Sequence, residues 1–407
     1  MKNGLISKPV PSLIRQIAIP SSIGFFFNTL YNVVDTYFGG QISTDALAAL
    51  SLSFPVFFVI IAIGSGIATG ATSLIANSLG AGDRQKANLV SLQAISFSLL
   101  FSVVLTAAGL LFSPGLFRIL GAEGNYLALA LEYTNIIFYG TALFVLNFTL
   151  NSILNAKGDT KTYSKLLVLG FFLNVILDPW FIQGGFGMPA LGLAGVAWAT
   201  FAIQAATSFF LLLKIYREGV FYSGWLGRLR PDLKYYLEIF RQGFPASLNM
   251  MTVAIGIFII TLYISKYGQT AVAAYGIATR FDQIALLPVI GLNIATLTLV
   301  GQNNGAKAYG RVREVVRTAL KYGLSVTIAG MLLVILFSGR LVRMFSSDSE
   351  VITVGSDYLK VSALIYIAYT IMFISISAMQ GLKKPNFAIW IGAYRQIAAP
   401  LPVFWVV

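Results

Sequence analysis

Runs of about 20 or more mainly apolar residues recur from one end of this 407-residue chain to the other, each long enough to cross a bilayer core of about 30 Å as a helix. Such segments must satisfy their backbone polar groups internally, which dictates helices spanning a membrane. With 57% of residues hydrophobic, 11% charged and 31 Phe among them, there is more apolar surface than a water-soluble core could hide. Zero Cys and zero His exclude disulfides and any chemistry that needs a thiolate or an imidazole. The spacing predicts spans near 14–39, 46–79, 89–116, 126–156, 161–182, 192–216, 236–265, 271–303, 312–345, 352–381 and 386–407. No cleavable signal peptide is expected, because Met1 to Pro11 is short, polar and proline-bearing.

A net charge of +13 would suggest nucleic acid as the partner of a soluble protein, but its distribution points elsewhere. Most of the 28 Lys and Arg fall at the N-terminus and in alternate loops, at 80–88, 157–165, 214–241, 307–321 and 383–384. Arg118, Lys266, Arg340 and Arg343 alone occupy loops of the opposite side. This positive-inside bias predicts a cytoplasmic N-terminus. None of the loops has the GxxxxGK[ST] phosphate-binding pattern, so no ATP-driven step is expected.

Shifting the chain against itself by 225 residues aligns Pro20 with Pro245, Ser22 with Ser247, Gly66 with Gly291, Gly80 and Ala81 with Gly305 and Ala306, Arg118 with Arg343, and Tyr133 with Tyr358. No gap is needed over about 140 residues, which marks an internal repeat. Six spans return a half to its starting side, so the repeat is parallel, about an axis along the membrane normal. The expected fold is an all-α polytopic membrane protein of two pseudo-symmetric six-helix lobes, divided as 1–219, a cytoplasmic linker 220–235, and 236–407. Val407 pairs with Ile182, so the second lobe is expected to hold five helices, giving about eleven spans and lacking the last.

Carboxylates inside a membrane cost several kcal/mol and are tolerated when they face a bundle interior or a wet cavity. Asp35 lies deep in the first span, within LYNVVDTYFGG. Asp178 lies in FFLNVILDPW with Asn174 four residues earlier, hence on one helical face. Thr200 brings a hydroxyl at a similar depth. Two nearby carboxylates can share a proton, and the same oxygens suit Na⁺, so residues alone leave the ion open. Asp178 also has a structural reading, satisfying backbone groups freed by Pro179. Pro20 is a candidate hinge, although it would kink its helix whatever the function. Ile260 and Val403 replace Asp35 and Asp178 in the second half, so coupling chemistry is expected in the first. Tyr31, Asn151, Arg280 and Asp282 are further cavity candidates, the last two equally open to structural roles. Glu132 and Asp357, at matching span ends, read as solvated groups.

YNVVDTYFGG in the first span, GAGD after the second, AKGDTK after the fourth, NVILDP in the fifth, GLAGVAWAT opening the sixth and GFPASLN in the seventh together resemble a multidrug and toxic compound extrusion (MATE) transporter. The resemblance implies two lobes around a cleft and secondary export of small lipophilic cationic compounds in exchange for H⁺ or Na⁺. It implies a monomer in the inner (plasma) membrane, embedded in the lipid bilayer, with no cofactor, no nucleic-acid partner and no enzymatic activity. The chain is similar to the DinF-like branch, whose cation site would map to Asp35, Asn174, Asp178 and Thr200. The NorM-like branch carries a glutamate where this chain has Val253. A lipid-linked sugar flippase of related architecture is the alternative, which cavity arginines such as Arg280 and Arg395 would favour.

Overall fold

The computed structural model describes residues 4–399 apart from 186 and 223, so the end of the last expected span, at 400–407 and including Val403, lies outside the described residues. Helices run α1 (Gly4–Ser7), α2 (Val10–Ile42), α3 (Thr44–Gly80), α4 (Arg84–Ile119), α5 (Gly124–Tyr139), α6 (Thr141–Ala156), α7 (Lys161–Gln183), α8 (Leu193–Arg217), α9 (Trp225–Arg228), α10 (Leu233–Ile264), α11 (Gln269–Gly305), α12 (Tyr309–Arg343), α13 (Ser349–Gly381) and α14 (Asn386–Ala393), with a π-helical turn at Tyr394–Ala398. Among the described residues nine helices are long and apolar enough to cross a membrane, ten when α5 and α6 count as one span, and there is no β-strand.

The repeat extends to the helix ends. Adding the 225-residue offset to the first residues of α3, α4, α5 and α7 gives Gln269, Tyr309, Ser349 and Asn386, the first residues of α11, α12, α13 and α14. The turns repeat as well, even where the residues do not. Gly82 and Gly158 sit at φ 82° and 83°, and their equivalents Lys307 and Lys383 adopt φ 56° and 61°, the only described non-glycine residues with positive φ. A left-handed backbone normally favours glycine. The turn geometry is thus held by the helices it joins. Local caps help set the starts: Asp83 accepts from the Lys86 amide at 2.9 Å before α4, and Asp348 accepts from the Glu350 amide at 2.8 Å before α13.

One expected span differs from the structure. Residues 126–156 do not form one straight helix, because α5 and α6 are bent by 45° at Gly140. Glycine weakens a helix by about 1 kcal/mol relative to alanine, and its equivalent in the uninterrupted α13 is Ile365.

Packing divides the chain into two compact units, each built from separated pieces. The N-unit comprises Ile23–Leu79 and Asp83–Ser247; the C-unit comprises Met1–Ser22, Gly80–Gly82 and Leu248–Val407. Helix α2 therefore gives its first part, through Ser22, to the C-unit, and α10 gives its first part, through Ser247, to the N-unit. In the C-unit, fully buried Leu13, Ile14 and Ile17 pack with Leu292, Leu299 and Ile374. In the N-unit, Ile239 and Tyr236 join the cluster of Ile67, Leu74 and Leu92. Ile14 and Ile239 are equivalent in the repeat. Close packing carries both joins: a Cβ on Gly66 would collide with Ser247 and the Gly243 carbonyl, and one on the equivalent Gly291 would collide with Ser22 and the Ala18 carbonyl. The connection between α8 and α10 is pinned to α4 by Gln93, whose amide donates to the carbonyls of Arg228 and Arg230 at 2.6 and 2.9 Å and accepts from the Asp232 amide at 3.0 Å.

Candidate functional site

Helix α7 places Asn174 and Asp178 one turn apart on its inward face, both fully buried, while α2 supplies Asp35. The two hydrogens of the Asn174 amide are divided between the carboxylates: Nδ2 donates to Asp35 Oδ1 at 2.8 Å and to Asp178 Oδ1 at 2.8 Å. The two carboxyl groups lie within electrostatic range of each other. Two buried oxygens here, Asn174 Oδ1 and Asp178 Oδ2, have no hydrogen-bond partner. Orphaned buried acceptors are costly unless something positive meets them.

Tyr31, one turn before Asp35 on α2, donates its hydroxyl to Thr200 Oγ1 of α8 at 2.9 Å. Thr200 is 4% exposed. Tyr31 and Tyr133 of α5 both lie within electrostatic range of Asp35 and Asp178. All of these residues belong to the N-unit. The cluster offers two carboxylates, an amide oxygen and hydroxyls in a buried volume, a donor set that fits a proton shared between acids and equally a hard cation such as Na⁺.

Other singled-out residues sit apart from this cluster. Asn151 of α6 is buried with its Oδ1 unpartnered, and no described hydrogen bond joins it to the carboxylates. Pro20 lies inside α2, two residues before the change of unit. Arg280 is exposed. Asp282 forms a second cluster in the C-unit, accepting from Ser362 Oγ at 2.9 Å and, through a short bond, from the Tyr366 hydroxyl. Tyr358, the equivalent of Tyr133, lies within electrostatic range of Asp282. Glu132 is exposed, and Asp357 pairs with Lys360 at 2.9 Å on the surface. Sequence reasoning missed Ser362, Tyr366 and the role of Tyr133 as a neighbour of the acids. The alignment of Tyr133 with Tyr358 is the one signal that could have flagged the tyrosines.

The sequence profile of the MatE family matches residues 20–180 and 245–403. A probable multidrug resistance protein, YoeA of Bacillus subtilis, is 29% identical over 338 residues, 81% of this chain and 72% of that protein. The FAD transporter of Shewanella oneidensis is 27% identical over 405 residues, 99% of this chain and 89% of that protein. Among solved structures, an MOP superfamily transporter from Pyrococcus furiosus, described as having a binding pocket of reverse polarity, superposes with a TM-score of 0.91 at 26% identity, covering 100% of this chain and 90% of its own.

Proposed function

This chain belongs to the MatE family, a family of membrane transporters and not of enzymes, and from that premise we propose that it is a multidrug efflux antiporter that exports cationic amphipathic compounds in exchange for H⁺ or Na⁺ by alternating access. The relatives named for multidrug resistance support the substrate class. The observation that carries the coupling is the single amide bridging two carboxylates beside two unpartnered buried oxygens.

With both acids ionised, the N-unit offers negative charge that attracts a lipophilic cation by Coulomb force in a low-dielectric setting. A cation arriving from outside cancels one of the two negative charges of Asp35 and Asp178, and a second cancels the other, so substrate and coupling ions compete for the same charge. Tyr31 and Thr200 tie α2 to α8, which lets occupancy of the acids move α2. Pro20 lacks the N–H that would bind the carbonyl of Gln16, so α2 bends at least cost there, next to the point where it changes unit. Each net positive charge moved inward per cycle supplies about 2.3 kcal/mol per 100 mV, about a 50-fold concentration gradient; a 1:1 exchange for a singly charged cation draws on the ion's concentration gradient alone.

The test is efflux of a fluorescent lipophilic cation from vesicles under an imposed pH or Na⁺ gradient. Wild type should drain the dye only with a gradient, and Asp35→Asn, inserted at equal level, should not. Efflux unchanged in Asp35→Asn would remove the coupling role.

A further inference from the structure

Arg395, in the apolar stretch that follows α14, has no carboxylate paired with it among the described residues. It lies nine residues beyond the start of α14, roughly 13 Å along a helix, too far for the guanidinium to escape to the basic side where Lys383 and Lys384 sit. Its guanidinium stands over the rings of Tyr369 and Phe373 of α13, at 5.0 and 5.5 Å from their centres, and Nη1 meets the sulfur of Met372 at 3.7 Å. Nε is buried and has no partner. All 15 Asp and Glu are among the described residues, and none of the ion pairs includes Arg395. The C-unit's own membrane carboxylate, Asp282, takes its hydrogen bonds from Ser362 and Tyr366.

A guanidinium carries five N–H donors, and a thioether sulfur is a weak acceptor for one of them. Ring faces return about 0.5 to 2 kcal/mol, well short of the several kcal/mol that an arginine costs at this depth. Charges that persist in membrane helices without an internal partner mark a site where something else completes them. The geometry specifies the complement: an anion whose oxygens accept two parallel N–H bonds from the planar guanidinium, with a flat ring beside it. The wall is suited to that ring, since Tyr369 and Phe373 stack at 18° with centres 6.0 Å apart.

We propose that Arg395, with Tyr369 and Phe373, is an anion-recognition point of the C-unit that takes the phosphate or carboxylate group of an aromatic substrate. It rests on the transport reading above and widens it: the exported class includes compounds that carry an anionic group on an aromatic body. The headgroup phosphate of an anionic lipid offers the same chemistry from a second source.

The experiment is equilibrium binding to the purified full chain in nanodiscs of neutral phosphatidylcholine, with no gradient, so a failure of cation coupling leaves it unaffected. The probes are riboflavin 5′-phosphate and riboflavin, which differ only in the phosphate. Wild type should bind the phosphorylated flavin about tenfold or more tightly than riboflavin. Arg395→Gln should bind both equally, with riboflavin affinity unchanged, and Arg395→Lys should keep part of the preference. No preference in wild type, or an undiminished one in Arg395→Gln, overturns the proposal. Should Arg395→Gln lose its fold, Arg395→Lys decides, and a preference equal to wild type then sinks the bidentate reading. Repeating the titration in discs with phosphatidylglycerol separates the sources: a suppressed preference identifies the lipid headgroup as occupant, and a surviving one identifies the soluble aromatic anion.

Discussion

Asn174 gives one amide hydrogen to each of two carboxylates, so it has no donor left for anything else in the site. Replacing it with Leu keeps the volume and removes the bridge, leaving two acids held apart only by their own repulsion. Gradient-driven dye efflux by Asn174→Leu is expected to fall to the level of empty vesicles while the protein still inserts. Tyr31→Phe is a gentler change, removing one hydrogen bond to Thr200 worth about 1 kcal/mol, and should lower the efflux rate roughly fivefold without abolishing it. An undiminished rate in Tyr31→Phe would show that the tie between α2 and α8 is idle. Part of this cluster was legible in the sequence: Asn174 and Asp178 share a face by their four-residue spacing, as do Tyr31 and Asp35. The meeting of Asp35 with Asn174, 139 residues away, was not, because no local rule fixes how α2 lies on α7. Ser362 and Tyr366 stayed hidden for the same reason, since they lie on a different helix from the acid they serve.

At the scale of elements, the left-handed lysines are the informative positions. Lys307 and Lys383 hold a conformation that costs a side-chain-bearing residue about 1 kcal/mol, at sites where the other half of the repeat has glycine. Lys307→Gly and Lys383→Gly should therefore each raise the thermal midpoint of the purified protein. A midpoint that falls would mean that the lysine side chains contribute more than the backbone strain costs. The joins at Gly66 and Gly291 predict the opposite sign. Gly66→Leu should destabilise by about 1 to 3 kcal/mol, since backbone of α10 stands where the side chain would go. Helix positions followed from the apolar spacing, and a single offset carries the starts of four of the helices from one half to the other. The bend at Gly140 escaped, because an apolar run gives no sign of which glycine a helix will tolerate and which will break it.

Across the whole molecule, the two compact units do not coincide with the two halves of the sequence. Each recruits the opening stretch of a helix whose remainder belongs to the other. Hydrophobic pattern shows that a helix is buried but not among which neighbours, so this exchange could not be read from the chain. It predicts that Gly66→Cys with Ser247→Cys forms a disulfide on oxidation, as does Gly291→Cys with Ser22→Cys, seen by non-reducing peptide mapping. The absence of native cysteine leaves no competing thiol. If neither pair links, the close packing at the joins is wrong.

The exchanged segments also set an order of synthesis. Leu13, Ile14 and Ile17 leave the ribosome early, yet their partners Leu292 and Leu299 follow some 280 residues later, roughly 14 to 56 s at about 5 to 20 residues per second. During that interval the first turns of α2 sit in the bilayer with an apolar face uncovered. The N-unit waits less, closing once Ile239 emerges behind the rest of its own core. The N-unit is thus the first to reach its final packing, and the C-unit completes only after reaching back for the oldest part of the chain.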